Sequence, residues 1–119
     1  MKVVLSGQGK GLDSQLDPRF GRARYFVCVD LDTGECESIE NTSGRDATQG
    51  AGISAAKTVA KLGGESVITG HVGPKAFKAL QAAGIKIWLA GESTVKEAIE
   101  LFRQNKLVEV KGSDVEGHW

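Results

Sequence analysis

Arginines concentrate in one short segment of the sequence, where Arg19, Arg22 and Arg24 fall within six residues around Gly21. A guanidinium group presents its N–H donors in a planar fork, which suits anions with several acceptor atoms, such as phosphate, molybdate or a sulfide-bridged cluster. The alternative is that Phe20 packs in the core while the arginines form ordinary surface ion pairs. The segment is a candidate anion site, and both interpretations stay open at this point.

One of the two histidines, His71, lies where a predicted strand passes into a predicted helix, in the stretch GHVGP at 70–74. Ligands of open α/β sheets bind beyond the carboxyl ends of the strands, and the amides of a following helix N-terminus attract anions. An imidazole at this junction can ligate a transition metal or hydrogen-bond an anion. The competing interpretation is a histidine with a purely structural role.

The glycine-rich segment 6–11 (SGQGKG) is superficially similar to a phosphate-binding loop. A dinucleotide fingerprint opens directly into a helix, whereas here Asp17, Pro18 and a predicted strand follow. A Walker loop needs Ser or Thr after its lysine, but Lys10 is followed by Gly11. An enzyme acting on small phosphorylated ligands is therefore only the third hypothesis, and neither a nucleophile elbow nor a zinc-protease motif is present.

The two cysteines do not encode a permanent thiolate site, because they form no Cys-x-x-Cys pair. Cys28 lies within an apolar strand and Cys36 follows the turn after that strand. We expect the pair to be near-diagonal across a hairpin, which is a poor disulfide geometry, so both thiols should be free.

The elements that must position these residues follow from the hydrophobic pattern, which predicts the order β-β-β-α-β-α-β-α. The first three strands form a meander around the turn at Gly34, and the later elements form parallel βαβ units. The sheet should therefore be mixed, with the second strand antiparallel to its neighbours, the first strand beside the fourth, and helices on both faces. Predicted strands span 3–5, 24–31, 35–41, 66–69 and 85–89, a short extended piece spans 107–110, and helices begin near Ala51, Pro74 and Val95.

Composition places the chain among ordinary single domains, here residues 1–119, with 40% hydrophobic and 25% charged residues. Fifteen basic residues balance fifteen acidic ones, which argues against nucleic acid or an anionic membrane as the main partner. No apolar run is long enough for a signal peptide or a membrane span. We expect a cytoplasmic protein with reduced thiols.

Several motifs in the right order resemble one known family. They are the segment RFGR at 19–22, the strand start at 25–27, Asn41, the stretch GAG at 50–52, GPKAF at 73–77, VKEAI at 95–99 and the closing GHW at 117–119. Together they are similar to the dinitrogenase iron–molybdenum cofactor biosynthesis family, the NifX-like domain, over nearly the whole chain. The resemblance implies a ribonuclease H-like α/β fold, a mixed five-stranded sheet with three helices on its faces.

The resemblance also implies a function, that of a small carrier or storage protein rather than an enzyme. Its cargo would be an anionic metal–sulfur cluster: iron–molybdenum cofactor, a precursor, or a molybdenum–copper sulfide. Arg19, Arg22 and the Gly73 amide would bind the cluster and His71 would be the metal ligand, with cluster-assembly or acceptor proteins as partners. The alternative is a regulatory or interaction module that keeps the fold without cargo.

Overall fold

A computed structural model describes residues 1–42 and 50–111. Five strands and three helices follow one another along these residues in the predicted order, and a sixth, short strand comes at the end. Their bounds are β1 Lys2–Gly7, β2 Tyr25–Asp30, β3 Cys36–Glu40, α1 Ala51–Lys61, β4 Ser66–Thr69, α2 Pro74–Ala82, β5 Lys86–Leu89, α3 Val95–Arg103 and β6 Val108–Glu109.

The strands form one mixed sheet in the order β3-β2-β1-β4-β5-β6. Strand β2 is antiparallel to both β1 and β3, and β1 lies parallel to β4, as predicted. The sheet has six strands instead of the expected five, because Val108 and Glu109 pair antiparallel with β5. A strand of two residues is too short to show an alternation of apolar and polar side chains. The sequence therefore predicts only a short extended segment at 107–110.

Helices cover both faces of the sheet, which confirms the predicted layered α/β class. Alanines and Val59 of α1, together with Phe77 and Leu80 of α2, pack with the side chains of one sheet face. Val95, Ala98 and Ile99 of α3 pack with those of the other face. The connections β3–α1–β4 and β4–α2–β5 therefore place α1 and α2 side by side on one face of the sheet. The amino ends of these two helices lie at the same end of the sheet.

The β2–β3 hairpin turns through Gly34, whose φ of 81° is the left-handed conformation expected at that position. The register opposes Cys28 to Glu37 and Val29 to Cys36. The two cysteines therefore lie on opposite faces of the sheet, which corrects the expectation that they share a face. Both are free thiols, Cys28 buried and Cys36 exposed.

The glycine-rich segment does not open into a helix, since none occurs among residues 8–24. The chain instead forms a long loop held at β1, where the Asp17 amide donates to the Ser6 carbonyl at 2.8 Å. This geometry gives no support to the phosphate-loop hypothesis.

None of the helices within 1–42 and 50–111 combines the length and apolar character needed to cross a bilayer. The motif at 117–119 lies outside the described residues.

Candidate functional site

A cleft of about 410 Å³ opens at the carboxyl end of β4, on the side of the sheet covered by α1 and α2. It lies where the topology of an open α/β sheet favours ligand binding. We call it the basic cleft, and its lining residues are Arg19, Phe20, Gly21, Arg22, Ala51, Gly52, His71, Val72, Gly73, Pro74, Lys75 and Ala76.

Arg19 reaches the cleft from the loop after β1 and is oriented by Asp17. The Asp17 carboxylate is 1% exposed, while the Arg19 side chain is 60% exposed. Asp17 Oδ1 accepts from the Arg19 backbone N–H at 2.9 Å and from Nε at 3.3 Å, and Oδ2 accepts from Nη2 at 3.4 Å. This fork-to-fork pair fixes the plane of the guanidinium and leaves one of its edges for another acceptor.

His71 is joined to the same loop through the backbone. Its amide donates to the Pro18 carbonyl at 2.9 Å, and residues 19 and 71 form an isolated parallel bridge. The approach depends on Gly70, since a Cβ there would lie 2.5 Å from Pro18 Cα. The glycine before the histidine is therefore what allows the loop after β1 to pass directly over the end of β4.

The back wall of the cleft is a tight contact between backbones. A Cβ on Gly21 would lie 2.8 Å from the Gly52 nitrogen, and a Cβ on Gly52 would lie 2.7 Å from Ala76 Cβ. Buried Asn41 holds the arginine segment against this wall, because its Nδ2 donates to the carbonyls of Gly21 at 3.1 Å and Ala23 at 2.9 Å. These contacts bring the segment carrying Arg22 onto the start of α1.

The amino ends of α1 and α2 both meet the cleft, and both are arranged to favour an anion. Their N-cap residues are Gly50 and Gly73, which have no side chain to cap the helix, and neither first turn holds an acidic residue. Lys75 even places a cation in the first turn of α2, where the macrodipole disfavours it by about 0.3–1 kcal/mol. By contrast, α3 begins with a complete capping box between Thr94 and Glu97.

The lining combines positive charge with an apolar floor. The side chains of Phe20, Val72, Ala76 and Ala51 are buried and offer only C–H groups. In the part of the chain that the structure describes, no carboxylate and no thiol lines the cleft. No group of three or more His, Cys, Asp or Glu side chains suited to a metal ion occurs among residues 1–42 and 50–111. Such a cleft suits an anion held by charge and backbone amides, with His71 as the single side chain able to ligate a metal.

The four residues proposed from the sequence, Arg19, Arg22, His71 and Gly73, all line this one cleft. Sequence reasoning missed Lys75, although it stands directly beside Pro74 in a quoted motif. It also missed Gly52 and Asp17. Gly52 belongs to the GAG motif of the resemblance, which assigns it no role in the site, and Asp17 precedes the arginines without a predicted role of its own.

The cysteines lie away from the cleft lining. Burial raises the pKa of the Cys28 thiol above its ordinary value. Cys36 is exposed, but partial desolvation of its sulfur raises its pKa as well, against a hydrogen bond with Ser38 that lowers it. The raised pKa values favour the protonated form of both thiols at neutral pH, so neither has the lowered pKa of a reactive cysteine.

Comparison with known proteins identifies relatives that span almost the whole chain. Residues 1–105 match the family model described as dinitrogenase iron-molybdenum cofactor. An uncharacterized protein of Methanocaldococcus jannaschii is 35% identical over 111 residues, which cover 90% of this chain and 93% of that protein.

Two solved structures share the fold at appreciable sequence identity. The apo form of the orange protein from Desulfovibrio gigas superposes with a TM-score of 0.90 at 44% identity, covering 93% of each chain. The NMR structure of a putative NifB protein from Thermotoga gives a TM-score of 0.80 at 37% identity, covering 91% of each chain.

Proposed function

Since the chain belongs to the dinitrogenase iron-molybdenum cofactor family, we propose that it is a small carrier that binds an anionic metal–sulfur cluster in the basic cleft and delivers it to another protein. The observation that carries the proposal is the convergence of Arg19, Arg22 and His71 with two uncapped helix ends on one cavity. We propose a cluster of molybdenum with iron or copper as the cargo.

The chemistry of the lining supports a sulfide-bridged anion as cargo. Arginine forks and helix amides neutralise its charge, while the C–H groups of Phe20, Val72 and Ala76 can contact sulfide, a weak hydrogen-bond acceptor. A caged site of four thiolates would hold a cluster permanently. This cleft would hold the cluster by electrostatic attraction, which solvent and salt screen, and by at most one imidazole. Such binding allows release of the cluster, as a carrier requires.

The proposed role is transport rather than catalysis. Among residues 1–42 and 50–111, the cleft lining contributes one imidazole and no carboxylate, hydroxyl or thiol. These lining residues therefore do not supply the paired acid, base or nucleophile that most hydrolytic and transfer reactions need. We propose that the protein works in the cytoplasm, where its free thiols would stay reduced. The partners would be the proteins that assemble or accept the cluster.

Anaerobic reconstitution tests the proposal. The protein is incubated with tetrathiomolybdate plus copper(I) or iron(II), desalted, and examined by visible absorption and metal analysis. We expect charge-transfer bands that stay with the protein and molybdenum bound in whole-number proportion. A colourless, metal-free protein after both treatments would contradict the carrier role and favour an interaction module without cargo.

A further inference from the structure

The outer surfaces of α1 and α2 form a continuous basic face beside the mouth of the basic cleft. On α1, Lys57 and Lys61 are exposed one turn apart, and on α2, Lys75 and Lys78 are exposed one turn apart. Neither helix contains an aspartate or a glutamate. We call these four lysines with exposed Ile53 the two-helix face.

The two helices lie directly against each other, so the lysines belong to one surface. Gly52 meets Ala76 where the helices begin, and the helices pack together along the same sheet face. The chain as a whole carries no net charge, so two adjacent helices without an aspartate or a glutamate are a local separation of charge. The compensating carboxylates concentrate elsewhere, with five of them, Asp30, Asp32, Glu35, Glu37 and Glu40, on the β2–β3 hairpin.

An exposed apolar side chain lies within this charged surface. Ile53 is 38% exposed and precedes Lys57 by one helical turn, so the two side chains share a face of α1. Ile53, Met1 and Val108 are the large hydrophobic residues exposed within 1–42 and 50–111. An exposed apolar side chain on the same helix face as a lysine is typical of a small docking patch with a charged rim.

We propose that the two-helix face docks a protein partner whose surface is acidic around an apolar side chain, which would contact Ile53. Charge complementarity identifies this occupant, because lysines with one aliphatic contact and no aromatic side chain offer little for stacking bases. The location of the face depends on the structure alone. Only its purpose, transfer of cargo at the adjacent cleft, rests on the proposed function.

Titration of the ¹⁵N-labelled protein with synthetic acidic peptides tests the docking face. One peptide is a run of glutamates interrupted by leucines, and the second has serine in place of each leucine. We expect amide shifts confined to α1 and α2, tighter binding of the leucine peptide, and loss of binding in high salt. Shifts centred outside the two helices, or equal affinity for the two peptides, would overturn the proposal.

A pair of matched variants tests the lysines. Lys57→Glu with Lys78→Glu should weaken leucine-peptide binding about fivefold or more, whereas Lys96→Glu with Lys106→Glu, the same charge change away from this face, should not. Glutamine replacements at Lys57 and Lys78 give the same comparison should the reversed chain fail to fold. Equal weakening by both pairs would contradict a localised face.

Two further experiments distinguish an acidic protein partner from other polyanions, and peptide docking on the two-helix face from cluster binding in the cleft. Duplex DNA and phosphatidylserine vesicles should bind more weakly than the leucine peptide at equal salt, and tighter binding of either would overturn the choice of an acidic protein. The Lys57→Glu, Lys78→Glu variant should still load tetrathiomolybdate with copper(I), because neither residue lines the cleft. Loss of peptide binding with retained loading separates failure of this face from failure of the carrier role.

Discussion

Arg19 and His71 are neighbours across a short parallel bridge, although they are 52 positions apart in the sequence. The bridge is made by the His71 amide and the Pro18 carbonyl, 2.9 Å apart. It couples the loop after β1 to the end of β4, so a guanidinium held by Asp17 and an imidazole face the same cleft. The position of either side chain therefore depends on the backbone that carries the other.

The first prediction concerns the charge that holds the cargo. Replacing Arg19 and Arg22 by Gln should reduce the affinity for tetrathiomolybdate with copper(I) and flatten its dependence on salt, because screened charge attractions weaken with ionic strength. The measurement is metal retained after desalting across a series of salt concentrations. Arg24→Gln is the matched control, since Arg24 is exposed in the same segment but does not line the cleft. Equal losses in Arg22→Gln and Arg24→Gln would contradict a local role.

The second prediction concerns the metal ligand. His71→Ala should shift the visible absorption bands of the loaded protein if the imidazole binds metal, because a changed ligand alters the charge-transfer energies. Cys28→Ser, a change in the buried core away from the cleft, should alter the free energy of unfolding more than the spectrum. Identical spectra for wild type and His71→Ala would leave the cargo held by charge alone and would remove His71 as a ligand.

The third prediction concerns the glycine beneath the Arg19–His71 bridge. Gly70→Ala should destabilise the fold by about 1–3 kcal/mol or more, because the added Cβ overlaps Pro18 backbone atoms that cannot easily move. Gly91→Ala is the control, with no atom within 4 Å of its Cβ and no positive φ. Denaturant unfolding followed by circular dichroism measures both. Equal stability of the two variants would show that Pro18 and Gly70 do not approach this closely.

The fourth prediction concerns acid and the start of α3. The Thr94 amide donates to the Glu97 carboxylate at 2.9 Å, which lowers the pKa of Glu97 below its ordinary 4.5. A carboxyl group with a lower pKa when folded takes up protons more readily when unfolded, so its contribution to stability is present above pH 4.5 and is lost as the pH falls through the folded value. Denaturant unfolding between about pH 6 and pH 3 should show a smaller acid loss in Glu97→Gln than in wild type. The same pH dependence in both chains would contradict this assignment.

The fifth prediction concerns the thiols. A disulfide-forming reagent should modify Cys36 in the folded protein and both cysteines only in denaturant, because Cys28 is buried and Cys36 is exposed. Raised pKa values of both thiols should make the reaction with Cys36 slow at neutral pH. Recovery of fewer than two thiols from unreduced, denatured protein would indicate a disulfide that the sheet register does not allow.

Local signals in the sequence were enough to predict most of the fold. Pro74 marks the start of α2, Thr94 and Glu97 predict the capping box, and the predicted strand at 66–69 coincides with β4. The placement of Cys36 relative to Cys28 was wrong, because the turn at 32–34 does not by itself specify which residues of the hairpin face each other. A shift of one residue moves a side chain to the opposite face, and Cys36 was misplaced for that reason.

The part of the candidate site that depends on neighbouring strands could be predicted from the sequence. Once β1 and β4 are neighbours, the loop after β1 must come close to His71, so Arg19 could be placed with it. The contribution of α1 could not be inferred, because it depends on Gly21 and Gly52 touching across 31 positions of sequence. Close backbone contacts at glycines produce no periodic pattern of apolar residues. The sequence alone therefore does not indicate which glycines contact each other.

The central claim is that the cluster binds in the basic cleft. Changes in the NMR chemical shifts of the backbone amides when the cluster is loaded test it most directly. A molybdenum–copper sulfide formed from tetrathiomolybdate and copper(I) is diamagnetic, so ¹⁵N–¹H spectra of the empty and loaded protein can be compared residue by residue. The proposal predicts that the largest shifts fall on 19–22, 51–52 and 71–76, the three stretches that line the basic cleft. Shifts centred on Cys36 and the β2–β3 hairpin, with the cleft amides unchanged, would contradict it.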